Sequence, residues 1–493
     1  MDYDKLFTRQ NVFYTAHVAQ WNRNHAAYSG GKSYIDLALI QHVSEIKEEF
    51  EERLKRAYYY NWPRKIARII TQYVLANRPT RDKAIPDYVE DFTRTGLRVD
   101  EVMRQFSTCI NLYGCAWMCV DMPIITGYVS KADEIRMKLR PYATVISPLD
   151  VPDWCYGDDG ELLWVITKEH SIDNSDPFKD PVEVDTRKLW TRDKIVIVKK
   201  RSDGYEVPPY VAKNEIGVVP FIRSIETDGY AMNAQHWFDD VVRISDAIMN
   251  NESEAQMNIV KQMFGLLVVS ESFASNAAAV KPTEEDGAGD GSESGATSIA
   301  SVIGRSAAII ESNEDRGISR YIAPGGAENA TIRAENVYLI RMMFDCIGLS
   351  ATKETKMVES AEAKMWDFQH VEQYMRNRAD MLEQCEYRAW ELMHMWDDTI
   401  PIPTISYNRN FAVLELKDAV ATLTELSAFN PDNVEYQQEV SKTAVLLLNR
   451  VKQLAQDKQD SIVNGIENST PITPGASAIM SQLNAGVDNS GNE

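Results

Sequence analysis

Basic residues are in short supply in this chain. Lys and Arg number 52 against 73 Asp and Glu, which leaves a formal net charge of −21 and a pI near 4.9. A protein that grips or reads DNA concentrates Lys and Arg on one face, and no basic block occurs in the sequence. Duplex DNA as a passing cargo stays open, because every phosphate neutralised by a wall residue would brake its sliding. Metal and catalytic signatures are missing as well. The six cysteines (Cys109, Cys115, Cys119, Cys155, Cys346 and Cys385) contain no C-x-x-C pair and have no His at zinc-ligand spacing, so buried, reduced thiols are expected. Seven histidines (His17, His25, His42, His170, His236, His370 and His394) form no H-E-x-x-H. Neither the P-loop nor the G-x-S-x-G elbow is present. The expectation is a non-enzymatic protein with no catalytic, cofactor-binding or metal-ligating residues and no cofactor. No apolar run approaches the roughly 18 residues that span a bilayer, so no membrane partner is expected. Met1-Asp2-Tyr3-Asp4-Lys5 lacks the basic and apolar regions of a secretion signal, which places assembly in a cytoplasm.

What is present is the balance of a folded protein, with 44% hydrophobic and 25% charged residues over 493 positions. Helical spacing runs from Ile35 to Ala76, with Ile46, Phe50, Leu54 and Tyr58 on one stripe, an interruption at Pro63, and Ile66, Ile69, Ile70 and Val74 on a second. A helix over Asp100 to Tyr113 leads through Gly114 into an apolar strand, Ala116 to Val120. Between Tyr142 and Arg223 the period changes to two. Leu162 to Thr167, Lys188 to Thr191, Lys194 to Lys199 and Val218 to Ile222 read as strands of a mostly antiparallel sheet, with turns at Asp158-Asp159-Gly160 and Asp203-Gly204.

After Tyr230 the sequence turns helical again. Trp237, Val241, Ile244 and Ile248 mark a helix ending near Met263, on the order of 40 Å long. Short strands are expected at Phe264 to Val269, Ala307 to Glu311 and Ser319 to Ile322. An Ala/Gly/Ser-rich acidic excursion, Ala274 to Thr297, lies among them. A return helix covers Ala330 to Ile347 with Ile332, Leu339, Met343 and Cys346 on one face. A polar break with Lys353-Glu354-Thr355-Lys356 precedes the longest periodic segment, Ala361 to Trp396, about 55 Å if unbroken. Ile405 to Phe411 reads as extended, two helices follow over Glu415 to Ala428 and Val434 to Ala455, and a disordered tail is expected from Gln456. The class is α+β, predominantly helical. Two long helices flanking a small module make a hairpin whose apolar stripes predict packing against identical neighbours, and head-to-tail contacts that close give rings.

This order of elements resembles that of the portal proteins of tailed bacteriophages. Local phrases carry the likeness: Tyr60-Asn61-Trp62-Pro63, Asn111-Leu112-Tyr113-Gly114 leading to Val120-Asp121-Met122-Pro123, Gly217-Val218-Val219-Pro220-Phe221, and Ser406-Tyr407-Asn408-Arg409-Asn410-Phe411. The resemblance covers nearly the whole chain. It implies a wing over 1–231, stem helices over 232–263 and 328–347, a clip over 264–327 and a tunnel loop over 348–359. A long wing helix with its return strand then fills 360–414, a helical crown 415–460, and a disordered tail 461–493. Trp237, Val241, Ile244, Ile248, Leu339 and Met343 become the inter-subunit packing residues of the stem. Phe264, Leu266, Val268, Arg305, Ile309, Arg316 and Arg320 become partner-docking residues of the clip, and Lys353, Glu354, Thr355 and Lys356 face DNA.

The implied partners are eleven further copies in a ring of twelve, non-specific double-stranded DNA, the terminase large subunit and a head-completion or tail adaptor. The major capsid protein and a scaffolding protein complete the set, all at one capsid vertex of a virion. Two rivals stand beside this reading. One is a different head-to-tail connector. The other is a metal-dependent polymerase, suggested by Tyr156-Gly157-Asp158-Asp159 but opposed by Pro148 and Pro152 ahead of it, since proline lacks the donor that a central strand needs.

Overall fold

The computed structural model describes residues 2–123, 136, 139–178, 180–226, 236–263, 266–270, 308–311, 320–322, 327–347, 361–409, 411, 416–429, 433–451 and 456–467. Seven helices and two strands open the chain: α1 (Tyr3–Thr8), α2 (Val12–Ser29), α3 (Lys32–Ala38), α4 (Lys47–Arg56), α5 (Trp62–Val74), β1 (Thr80–Asp82), α6 (Pro86–Glu90), α7 (Val99–Tyr113) and β2 (Cys115–Asp121). The sheet region follows as β3 (Tyr142–Ile146), β4 (Asp153–Tyr156), β5 (Leu162–Asp173), β6 (Val182–Thr191), β7 (Lys194–Arg201), β8 (Gly204–Tyr205), β9 (Tyr210–Lys213) and β10 (Phe221–Ile225). Then come α8 (Trp237–Met263), β11 (Leu266–Ser270), β12 (Ala308–Glu311), β13 (Arg320–Ile322), α9 (Ala327–Asp345), α10 (Ala361–Trp396) and β14 (Thr404–Ser406). Three helices end the described chain: α11 (Leu416–Phe429), α12 (Val434–Val451) and α13 (Gln456–Glu467). The architecture is mixed α+β and mostly helical, and it divides into two units, 1–411 and 412–493.

Local chemistry accounts for the main boundaries. Asn61 caps α5 by accepting from the Arg64 amide at 2.9 Å, and Pro63 occupies the first turn, where its missing N–H costs nothing. Gly114 ends α7 in the left-handed region, with φ of 70°. A side chain there would also meet the His236 ring at 3.0 Å, so the turn and the close approach both demand glycine. The expected continuous helix from Ile35 is interrupted. Residues 39–46 leave the helix, and Ile46 and Tyr58 stand exposed. Phe50 and Leu54 of the expected stripe lie on α4 and pack on the second core, while Ile46 caps the helix start and Tyr58 lies two residues beyond its end.

Strand β2 divides the first unit. It lies between β10 and β3, antiparallel to both, and alternation sends Ala116, Met118 and Val120 to one core and Cys115, Trp117 and Cys119 to the other. The first core joins α7 to α10 through Val102, Phe106, Met375, Leu382 and Trp390. The second joins α2 to a six-stranded antiparallel sheet in the order β4-β5-β6-β7-β8, with β9 on β7. The short pair β1-β14 completes the first core.

The apolar face of α10 is therefore internal. Val371, Met375, Ala379, Leu382, Cys385, Ala389 and Trp390 are buried by the chain's own body. The tail expectation is corrected, because 456–467 is helical. Residues 468–493 lie outside the described residues. Among the cysteines, Cys115, Cys119 and Cys385 are buried, whereas Cys346 is exposed, against the expectation for all six. Burial pushes the Cys109 and Cys115 thiols up to about 12.

Candidate functional site

The region that joins the body to α8 and α9 gathers the most interdependent polar groups. Glu226 follows β10 immediately, His236 precedes α8, and Tyr374 and Arg378 sit one turn apart on α10. Arg378 is 1% exposed. Its Nη2 lies 2.9 Å from Glu226 Oε1 and donates to the Tyr374 hydroxyl at 2.7 Å. The His236 Nε2 contacts Glu226 Oε2 at 3.0 Å, and the Glu226 amide donates to the carbonyl of Gly114 at 2.8 Å. Burial alone would raise the Glu226 carboxyl. The Arg378 charge beside it, with His236, outweighs that and holds it well below the usual carboxylate range. Sheet, helix root and long helix are thereby locked together at one point.

Beyond this joint α8 and α9 run antiparallel. The clamp lies at Asn336, 4% exposed: Asn251 Nδ2 donates to its Oδ1 at 3.0 Å, and its own Nδ2 donates to Glu252 Oε1 at 2.6 Å. Toward the other end Val241 and Ile248 of α8 cluster with Met343 of α9 and with Ile66 and Ile70 of α5. Sequence numbers rise on one helix as they fall on the other. Two residues past α8 begins a separate three-stranded sheet in the order β12-β11-β13, with β11 parallel to β12 and antiparallel to β13. Four residues after β13, α9 begins.

The opposite face of α8 is strapped by the N-terminal helices. Asp246 receives bonds from Tyr34 and Arg23. Asn250 accepts from the Ile40 amide at 2.9 Å and donates to the Ala38 carbonyl at 3.1 Å. Arg53, 3% exposed, donates to the Ile40 carbonyl at 2.6 Å and pairs with Glu45 at 2.8 Å and with Glu254 at 3.0 Å.

The stem residues expected at a subunit interface are thus largely internal. Val241, Ile248 and Met343 are buried within the chain, and Trp237, Ile244 and Leu339 are half-buried against the same cluster. Period located an apolar face correctly but not its cover, which is α5 and the partner helix. Sequence reasoning missed the residues that remain uncovered on α9, Val337, Tyr338 and Met342. Their signal was that apolar residues occupy every side of this helix rather than one stripe. The tunnel-loop residues Lys353, Glu354, Thr355 and Lys356, and the clip residues Phe264, Arg305 and Arg316, lie outside the described residues. Leu266 and Val268 fall on β11, Ile309 on β12 and Arg320 on β13, where Val268 is paired with both Ile309 and Arg320.

Elsewhere the Tyr156 to Asp159 turn follows β4, an edge strand. Asp159 is held by Arg192 at 2.6 Å and caps the Glu161 amide at 3.0 Å, the work of a hairpin turn. Among the described residues no group of three or more His, Cys, Asp or Glu is arranged to hold a metal ion, and no helix is long and apolar enough to cross a membrane. An open cleft between the sheets is lined by Arg94, Asp121, Tyr142 and Lys188. There Tyr142 donates to Asp121 at 3.1 Å, and burial raises the Asp121 carboxyl. No family model matches the chain, and no curated protein matches it.

Proposed function

We propose that this chain is one subunit of a bacteriophage portal ring, a non-enzymatic wall around the channel through which double-stranded DNA enters and leaves a capsid. The observation that carries the reading is the α8/α9 pair. Two antiparallel helices are rooted in an α/β body and lead to a small separate sheet, and the chain then continues into a 36-residue helix that threads the body's own core. That order is the one in which stem, clip and wing follow one another in portal proteins. Identical copies joined head to tail close into a ring, and the portal reading sets their number at twelve.

In this reading the three-stranded sheet β12-β11-β13 is the clip, the docking face for the terminase large subunit during filling and for a head-completion or tail adaptor afterwards. The loop with Lys353 and Lys356 lines the channel. The second unit, α11 to α13, forms the crown inside the capsid, and the body meets the major capsid and scaffolding proteins. The net charge of −21 suits a channel wall that must not grip its cargo, since each neutralised phosphate adds a salt-dependent attraction. The assembled particle places the protein at one vertex of a virion.

Electron microscopy of the purified protein tests this reading. Averages viewed down the symmetry axis are expected to show a closed ring with a central hole. A variant with residues 264–326 replaced by a short Gly/Ser linker is expected to keep the ring and to lose a collar of density at one end. Particles without a hole, or a deletion that removes density from the ring's outer rim, would count against it.

A further inference from the structure

Two apolar faces lie on opposite sides of the strap–α8–α9 slab. On α8, Asp246, Asn250, Ser253 and Glu254 meet the N-terminal strap, while Val241, Ile244 and Ile248 meet α5 and α9. At 3.6 residues per turn the two sets fall about half a helical turn apart. The strap and α9 therefore flank α8 as outer layers. On α9, Asn336, Leu339, Ile340 and Met343 face inward. Val337, Tyr338 and Met342 occupy the other half of the helix and are 39–56% exposed. On the strap, Leu37, Ile40, Val43 and Ile46 are 56–101% exposed. A β-branched residue with no cover at all, flanked by three more large apolar side chains, forms a patch of the kind that marks an interaction surface.

We infer that these two faces are complementary, so that the strap of one copy packs against α9 of the next. The inference rests on the ring reading and specifies its contact. Three observations select a second copy as the occupant. The faces point away from each other on one chain, as a head-to-tail contact requires and a two-fold contact does not. Both are apolar at the centre. Their rims carry charges that can pair across the contact: Glu48 and Glu49, with Lys47 beside them, stand exposed next to Ile46 at the start of α4, and Arg333 and Arg341 stand exposed one turn either side of Val337. Glu335 lies across the Tyr338–Met342 stripe from Arg341. The polar bonds from Arg53 and Asn250 to the strap backbone hold Ile40 in place, so the knob is presented on an anchored segment.

Two single-faced variants of the full chain test the inference: Ile40→Glu with Val43→Glu, and Tyr338→Glu with Met342→Glu, each checked by circular dichroism and sized by mass photometry beside the wild type. Wild type is expected to form rings and each variant alone to remain single. An equimolar mixture is expected to give pairs and stop, because each variant retains one intact face and the two intact faces match. If wild type forms rings and either variant does too, or if the mixture fails to pair, this contact is overturned while the ring reading stands. If wild type stays single at every concentration, the ring reading fails and the contact with it. Should a variant lose helix, a benzophenone amino acid in place of Val43 in assembled protein reads the same contact. Adducts on α9 of a second, isotope-labelled copy support it, and adducts confined to other segments overturn it.

Discussion

Replacing Arg378 by methionine isolates the joint between body and helix pair. Methionine fills much of the same volume, so the main loss is the charge. Arg378→Met leaves the buried Glu226 carboxylate without the partner 2.9 Å away and removes a 2.7 Å bond to Tyr374, while His236 still holds the second carboxylate oxygen at 3.0 Å. Removing one member of a buried pair costs about 3–5 kcal/mol, which is roughly two to four decades in the folded-to-unfolded ratio. The paired change Arg378→Met with Glu226→Gln removes the stranded charge as well and is expected to cost less than the two single changes summed, by about 1–3 kcal/mol.

Urea unfolding followed by tryptophan fluorescence is the assay. All ten tryptophans precede residue 411, so the signal reports the first unit alone. The protein is held at one low concentration so that assembly does not shift the midpoint. Because the Glu226 carboxyl is depressed in the folded protein, its contribution is fully present above the ordinary carboxyl pKa of about 4.3. It is lost as pH falls through the lower folded value. The gap between wild type and Arg378→Met is therefore expected to be widest near neutrality and to narrow in acid. A single change that costs under about 0.5 kcal/mol, or a gap indifferent to pH, would refute the account of this joint.

Further outcomes follow from the same geometry. Met343→Ala should cost about 2–5 kcal/mol in urea unfolding at concentrations too low for assembly, because its cover is Ile66, Ile70, Val241 and Ile248 of the same chain. A cost that appears only in assembled protein would restore it to the subunit interface. Asn336→Leu should cost about 1–3 kcal/mol by stranding Glu252 and Asn251, read as faster amide exchange in the middle of α8. Glu386→Gln should cost about 3–5 kcal/mol, since Glu386 is fully buried and receives Arg81 at 2.5 Å and the Tyr407 hydroxyl at 2.5 Å; thermal unfolding checks it. Asp121→Asn should stabilise the protein at pH 7, with the gain shrinking as pH falls through the raised folded value and gone by about pH 4. Burial raises this carboxyl, so its ionised form costs stability only above its unfolded pKa.

Much of the element order was legible because periodicity is a local property. The α7–Gly114–β2 unit and the spans of α8 and α10 could be read from apolar spacing and their glycine and proline boundaries. The arm of β5 was not, since Lys168 to Asp173 carries the strand past the core into solvent, where apolar alternation stops; its partner stretch Val182 to Arg187 does alternate, with Val184 and Thr186 buried, and was missed. The apolar spacing from Ile46 to Tyr58 marked α4, whose Phe50 and Leu54 pack on the second core, but it did not show that residues 39–46 leave the helix. The Glu226–Arg378–His236 joint was invisible, as its members are brought together only by tertiary packing. The stem stripe shows the deeper limit: a pattern reveals that Val241, Ile248 and Met343 seek cover, but only the fold reveals that α5 and the partner helix provide it.

The central claim is that identical copies of this chain close around a hole. Mass photometry of the full chain across a hundredfold range of concentration tests it most directly. The account predicts a dominant species near twelve times 55.9 kDa that coexists with single chains and little between, since a closed ring satisfies every contact at once. A chain that remains at 55.9 kDa throughout, or that grows without limit into filaments, would contradict it.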